Sequence, residues 1–371
     1  MPAPQLSLRA LNRTLLARQL LLERSRMAPL DAVEHLVGLQ AQNPPSPYLA
    51  LRARLEGFDP LDLSGHLERR EAVRMVLMRG TIHFVSAPDA AGLREVMQPV
   101  LHRELYGNRT WARGLEGVDV APILELGERL VEERPRSLAE LRREIAARWP
   151  DLDAGTLAYS IRNLLPTIQV TPRGLWGRTG PVALTTLGHW TGRPMGEPFL
   201  LHDVVLRYLR AFGPAAVADV AAWSGLRGLR EVLERLRPSL RTFRDPRGRE
   251  LFDVPDGPIL SGDEPADVRL LPDYDNALLS HEDRSRIVPP LTWPTVRDNV
   301  TMPAYLVDGF VAGIWKPQGS GPKAVVELRP LVDHTPAERA VLEAEASATL
   351  AFLEPRADPA SVRWWRGDQP G

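Results

Sequence analysis

The feature that most limits how this chain can fold is a pattern that recurs three times: short amphipathic helices followed by a brief alternating hairpin. In the first occurrence Asp59-Pro60 starts a helix over Leu61–Arg70. Val73–Val85 then reads as two short strands joined near Arg79-Gly80. In the second, Ile123–Glu132 and Asp153–Leu164 have helical spacing, and Ser137 with Glu140 forms a capping box for the helix between them. Ile168–Arg178 then alternates and turns, predicting strand, wing and strand. In the third, His202–Phe212, Pro214–Ser224 and Leu229–Leu236 are helical, with a turn at Gly225. Leu240–Arg244 and Glu250–Val254 form the wing strands. Helices closed by a small hairpin are the winged-helix pattern, so three tandem units are expected at 1–118, 119–195 and 196–257. From 258 to 371 the texture changes to short apolar strands, an Asp308-Gly309 hairpin signal and a final helix over Thr335–Phe352. A small β-barrel-like domain closed by a helix is expected there, within an α+β architecture.

Two glutamines stand out against this frame. Leu30, Val33, Leu36 or Val37, and Gln40 recur at spacings of three and four, which predicts a helix over Leu30–Ala41 with Gln40 at the inward end of its stripe. Pro44, Pro45 and Pro47 cannot continue it, and Ser46-Pro47 reads as the start of the next helix. On a regular helix Gln40 and Gln42 diverge by about 200°, so they converge only if the last turn unwinds. Taken alone, the pair fits two amides satisfying carbonyls at a helix end better than it fits a binding site. The first helix, over residues 6–25, places Leu8, Leu11, Leu15 and Leu22 on its stripe, with Arg13 and Thr14 outside.

Composition removes many kinds of chemistry. With no cysteine there are no disulfides, thiolate zinc sites, iron–sulfur clusters or cysteine nucleophiles. No phosphate loop, dinucleotide fingerprint, zinc-hydrolase helix or nucleophile elbow occurs, so no cofactor or metal is expected. Asp273-Tyr274-Asp275-Asn276 begins like a calcium loop but has Leu278 where glycine is required and Arg284 where glutamate is required. Its acids are expected to pair locally with Arg284 and Arg286. The N-terminus lacks the continuous apolar core of a signal peptide and no run is long enough to span a membrane, which predicts a cytoplasmic chain. A net charge of −1 gives no global pull toward nucleic acid. Eight arginines between Arg227 and Arg249 form a local cluster suited to phosphates.

Several motifs in order resemble one family. Leu39-Gln40-Ala41-Gln42 followed by Pro-Pro-Ser-Pro-Tyr is similar to the catalytic segment of the AlkZ-like bacterial DNA glycosylases. The same holds for Met78-Arg79-Gly80-Thr81-Ile82-His83-Phe84-Val85, for Arg173-Gly174-Leu175-Trp176-Gly177-Arg178, for Leu270-Leu271-Pro272-Asp273-Tyr274-Asp275 with Asp283-Arg284-Ser285-Arg286, and for Val307-Asp308-Gly309. The resemblance implies three winged helices and a β-barrel in a C-shaped molecule that embraces duplex DNA. It makes Gln40 and Gln42 catalytic, and Gln rather than His at the first position places the chain in the AlkZ branch. Asn43, Arg79, His83, Arg173, Trp176, Arg178, Arg284 and Arg286 become the candidate DNA contacts. The implied partner is duplex DNA carrying alkylated purines, met by a monomer with no obligate protein partner. The implied roles are alkylation repair or azinomycin-type self-resistance, including the release of bulky adducts and interstrand crosslinks. Chemistry narrows the substrate further. An amide is neither a general base nor a nucleophile near neutral pH, so it suits a purine already made cationic at N7 or N3. No lysine lies nearby in sequence, which favours direct hydrolysis over a Schiff base. A winged-helix regulator without catalysis is the alternative, and a protein scaffold is a third.

Overall fold

The computed structural model describes residues 3–292, 302–358 and 361–365. Two five-stranded sheets and one hairpin organise them. The first sheet has the order β1-β3-β2-β4-β5, with β1 Leu39–Gln40, β2 Ala72–Val76, β3 Ile82–Ser86, β4 Thr167–Gln169 and β5 Leu184–Thr186. The hairpin predicted around Arg79-Gly80 forms its centre. Both residues take left-handed backbone there, with φ 55° and 72°. On one side β3 pairs with β1, and on the other β2 pairs with β4, so one sheet runs from the first helix–hairpin unit into the second.

The second hairpin departs from its predicted form. Its return strand is Leu184–Thr186 rather than the stretch up to Arg178. Residues 171–177 make a run of turns, in which Gly174 and Gly177 have φ 94° and 65°. The third unit runs as helices Leu201–Phe212, Val217–Ser224 and Leu229–Leu236, then the hairpin β6 Arg241–Arg244 with β7 Glu250–Asp253. Gly225 makes the predicted turn at φ 79°.

In the C-terminal region five strands take the order β12-β11-β10-β9-β8. They are β8 Arg269–Leu271, β9 Ala304–Val307, β10 Phe310–Gln318, β11 Val325–Pro330 and β12 Val362–Trp364. The Asp308-Gly309 turn has φ 49° and 77°, as a type I′ hairpin requires. The helix Pro336–Leu353 packs Leu342, Ala346 and Leu350 into this sheet and carries a capping box at Thr335 and Glu338. The expected barrel is corrected: among the described residues the sheet is open, because β8 and β12 are opposite edges that do not pair.

Two other expectations change. The first helix is Leu8–Arg18, and Arg13 and Thr14 are fully buried in it rather than outside. Residues 264 and 308 cover that face: Arg13 donates to the carbonyls of Glu264 at 2.6 Å and Asp308 at 2.9 Å. Arg18 reaches the third unit, donating to Asp253 at 2.7 and 2.9 Å. The acids of the 273–276 stretch do not pair with Arg284 and Arg286. Asp275 instead binds buried Arg54 through two bonds of 2.8 Å. No helix among the described residues is long and apolar enough to cross a membrane.

Candidate active site

The helix leading to the glutamines stops early. It covers Pro29–His35, and Val37 and Gly38 turn left-handed at φ 56° and 86°. The Gly38 N–H returns to the Val33 carbonyl at 2.8 Å, which closes the helix end. A Cβ on Gly38 would lie 2.6 Å from Val85 Cγ1, so only glycine fits this approach. After it the chain runs extended, with Leu39 opposite Phe84 and Gln40 opposite His83. Gln40 is therefore a strand residue, and Gln42 follows at the strand's exit. The predicted unwinding goes further than a frayed turn, and spacing by two now tends to put both residues on one side.

Several backbone groups of this segment have a holder. The Gly38 carbonyl accepts from Asn276 Nδ2 at 2.6 Å. The Ala41 N–H donates to Ile82 O at 2.7 Å, and the Ala41 carbonyl accepts from Arg74 Nη2 at 2.6 Å. Beyond the strand, Asn43 Nδ2 and Ser46 Oγ both donate to the Asp273 carboxylate. Burial pushes that carboxyl's pKa up, and the bonds from Ser46 and Asn43 oppose the rise.

Gln40 is 5% exposed, and its Oε1 accepts from Arg79 Nη2 at 2.7 Å. A guanidinium only donates, so the amide oxygen must face Arg79 and the NH2 group turns away from it. Arg79 also donates to the Trp223 carbonyl, which anchors it on the third unit. Burial, then the neighbouring Arg284, lowers the Arg79 pKa to about 10. At neutral pH it stays charged. His83 is 1% exposed, and burial followed by the Arg79 charge lowers its pKa to about 3. It is neutral, and its Nδ1 must carry the proton donated to the Thr81 carbonyl at 3.0 Å. Gln42 and Asn43 are exposed at the surface.

The other sequence-predicted residues fall around this centre in different ways. Arg284 is half-buried and close enough to Arg79 to depress its pKa. Arg173 is half-buried beside Arg74 and donates to the Gly180 carbonyl at 3.2 Å. Trp176 packs on Tyr48 and Phe352, with ring centroids 5.0 and 4.8 Å apart. With exposed Arg178, Pro44 and Pro45 it lines a cavity of about 340 Å³ next to the glutamine loop. Arg286 is 3% exposed and donates to the Pro214 carbonyl at 2.9 Å, so it sits in the packing rather than on a surface.

A family model for "DNA glycosylase AlkZ-like" matches residues 33–352. The chain belongs to the AlkZ-like DNA glycosylases. Among solved structures, it is similar to Streptomyces sahachiroi DNA glycosylase AlkZ, with a TM-score of 0.79 and 20% identity. That likeness covers 97% of this chain and 100% of the other. No curated protein sequence matches.

Within this glycosylase, sequence reasoning missed two residues of the glutamine site. Arg74 is 1% exposed and, among the described residues, has no carboxylate within ion-pair distance. Its signal was an arginine inside the apolar strand Val73-Arg74-Met75. Asp273 stood out for its motif, but its expected partners were Arg284 and Arg286 rather than Asn43 and Ser46. A contact 230 residues distant from Asn43 leaves no local trace.

Proposed function

We propose that this AlkZ-like glycosylase hydrolyses the N-glycosidic bond of purines alkylated at N7 or N3 in duplex DNA, bulky adducts included, with Gln40 and Gln42 as the reacting-site amides. The observation that carries this reading is the Arg79–Gln40 contact. It fixes which way one amide points before any substrate arrives, the preorganisation that stabilises developing charge at low cost. Exposed Gln42 completes a pair with no basic or nucleophilic atom. His83, the titratable ring opposite Gln40, is neutral and out of reach of solvent.

Such a pair suffices when the leaving group is already activated. An alkylated purine carries positive charge. As the C1′–N9 bond breaks, its electron pair neutralises the ring and leaves an oxocarbenium-like sugar. Water supplies hydroxide to C1′ and its proton goes to solvent. The amides orient that water and take up the charge at C1′ through hydrogen bonds, and the exposure of Gln42 lets them meet a base that remains close to the helix stack. The three helix–hairpin units act in this reading as winged helices that hold the duplex, in a C-shaped arrangement with the C-terminal sheet.

The test is release of base from duplex DNA containing N7-methylguanine, read as abasic sites. The wild-type chain is expected to release it, and Gln42→Ala or Gln40→Ala to slow release by about 10²–10³. Salt-sensitive binding with no release would instead identify a DNA-binding regulator.

A further inference from the structure

The two glutamines are held very differently. Gln40 is clamped by strand pairing and by Arg79. Gln42 lies past the last ladder bond, from Ala41 N–H to Ile82 O, and among the described residues no hydrogen bond holds its side chain. Its position therefore depends on what anchors the chain just beyond it. We infer that Asp273 is the positioning residue for Gln42: its carboxylate takes hydrogen bonds from the Asn43 amide and the Ser46 hydroxyl together and so locks the loop that carries Gln42. The inference rests on the role proposed above for the glutamines.

The anchor comes from the other sheet. Asp273 follows β8, and Tyr274 beside it has left-handed backbone at φ 56°. From the same stretch Asn276 holds the Gly38 carbonyl, and Asp275 holds Arg54 at the end of the Ser46–Arg54 helix. One four-residue segment thus brackets the glutamine loop on both sides, before it at Gly38 and after it at Asn43. The arrangement suits a carboxylate. Asn43 and Ser46 both present donors, so the group between them must accept twice, and Asp273 does so while 7% exposed. An asparagine of the same shape keeps one acceptor, loses the charge behind both bonds and forces Ser46 or Asn43 to reverse its role. Asp273→Asn therefore weakens the lock without leaving a cavity.

The experiment is a double-mutant cycle on single-turnover release of N7-methylguanine, with duplex affinity and melting temperature measured alongside. Asp273→Asn is expected to slow release at least about tenfold in the wild-type background, as a misplaced reacting group does. In the Gln42→Ala background the same substitution is expected to change release by less than about twofold, because the group it positions is gone. An equal loss in both backgrounds, or release within about twofold of wild type, overturns the inference. Asn43→Ala breaks the same lock from an exposed residue. It keeps the question open to refutation if Asp273→Asn fails to fold, since unchanged release in Asn43→Ala also overturns it. Amide exchange of Ala41, Gln42, Asn43, Ser46 and Tyr48 reads the lock without activity, and Asp273→Asn is expected to accelerate it. A wild-type chain that releases no base sinks the proposed function, whereas unaltered exchange in Asp273→Asn sinks the lock.

Discussion

Around the third hairpin most of the arginines from Arg237 to Arg249 meet acids. Arg237 holds Glu234 and Glu250, Arg241 holds Asp253, Arg247 reaches Asp283, and Arg249 holds Asp245 and Asp283. Around the glutamine pair Arg74 and Arg79 meet neutral oxygens instead: the Ala41 carbonyl for one, the Trp223 carbonyl and the Gln40 amide for the other. The first cluster is dense in the sequence, and much of its field is cancelled. The second is only two arginines of one hairpin, whose partners are brought to them by folding, and its charges keep their field in a low-dielectric setting. Arginine density along a chain is therefore a poor guide to available charge. What matters is whether folding also delivers the acids.

If the uncompensated arginines serve the reaction, Arg79→Met has the largest effect. It keeps the bulk of the side chain and removes the donor to Gln40 Oε1. A hydrogen bond to a charged group is worth about 1.5–3 kcal/mol, so release of N7-methylguanine is expected to slow by about 10- to 100-fold. Single-turnover kinetics at matched duplex saturation measure it. Wild-type kinetics would show that the amide orients itself and that the contrast between the two clusters has no catalytic meaning.

Acid is expected to separate the regions next. The folded pKa of His83, about 3, lies below its ordinary 6.5. Between those values the unfolded chain binds more protons, so the stability tied to neutral His83 is complete above pH 6.5 and is lost as pH falls toward 3. From pH 7 to pH 5 this amounts to about 2 kcal/mol. Glu250 in the hairpin is also shifted down, by its bond to Arg237, but from the usual 4.5, so its contribution holds above that pH and fades below it. His83→Gln is therefore expected to flatten the denaturation midpoint between pH 7 and pH 5, and Glu250→Gln to leave that slope as in wild type.

What the residues announced in advance follows the range of the forces involved. The capping box at Ser137, the helix start at Thr335 and the Asp308-Gly309 turn depend on neighbours within a few positions, and they form as read. The Gln40 helix failed at Val37-Gly38, where a valine accepts left-handed backbone that its own preference opposes and the following glycine lies too close to Val85 for any Cβ. Periodicity carried Gln40 onto a helical stripe because Leu36, Val37 and Leu39 are all buried, on whichever face they lie. The partner of β2 in the second unit, the burial of Arg13 and the Asp273 anchor are all set by segments more than 90 residues away. Gln40 and Gln42 were found through an ordered set of motifs, whereas Arg74 was visible only as a charge in an apolar strand.

Arg74 gives a smaller, two-sided outcome. Its Nε and Nη1 are buried without a hydrogen-bond partner, and burial lowers its pKa to about 10. Replacing an unpaired buried charge by an apolar side chain of similar length removes a desolvation penalty and also one hydrogen bond, worth about 1 kcal/mol. Arg74→Met is expected to leave stability within about 1 kcal/mol of wild type and to slow release by about fivefold to tenfold, through the freed Ala41 carbonyl between the glutamines. Urea denaturation and single-turnover kinetics on one preparation check both. A large loss of stability with normal kinetics would make Arg74 a packing residue and narrow the contrast to Arg79.

The smallest effect belongs to the third hairpin. Arg237 is 38% exposed, shares its charge between two glutamates and lies 4.8 Å from the Phe252 ring centroid. Exposed ion pairs contribute about 0.2–1 kcal/mol each, and part of what Arg237 contributes is contact with the ring rather than charge. Arg237→Ala is expected to cost about 1 kcal/mol or less, with release and duplex affinity within about twofold of wild type. The discriminating measurement is affinity across a salt series. An arginine already neutralised by glutamates displaces few counterions from DNA, so its loss leaves the slope unchanged. One that exchanges its glutamates for a phosphate on binding would lower the slope by about one when removed. That result would mean that the pairing in the free chain is a resting state of a DNA-binding surface, and the two arginine clusters would then differ in when they are available rather than in whether they are.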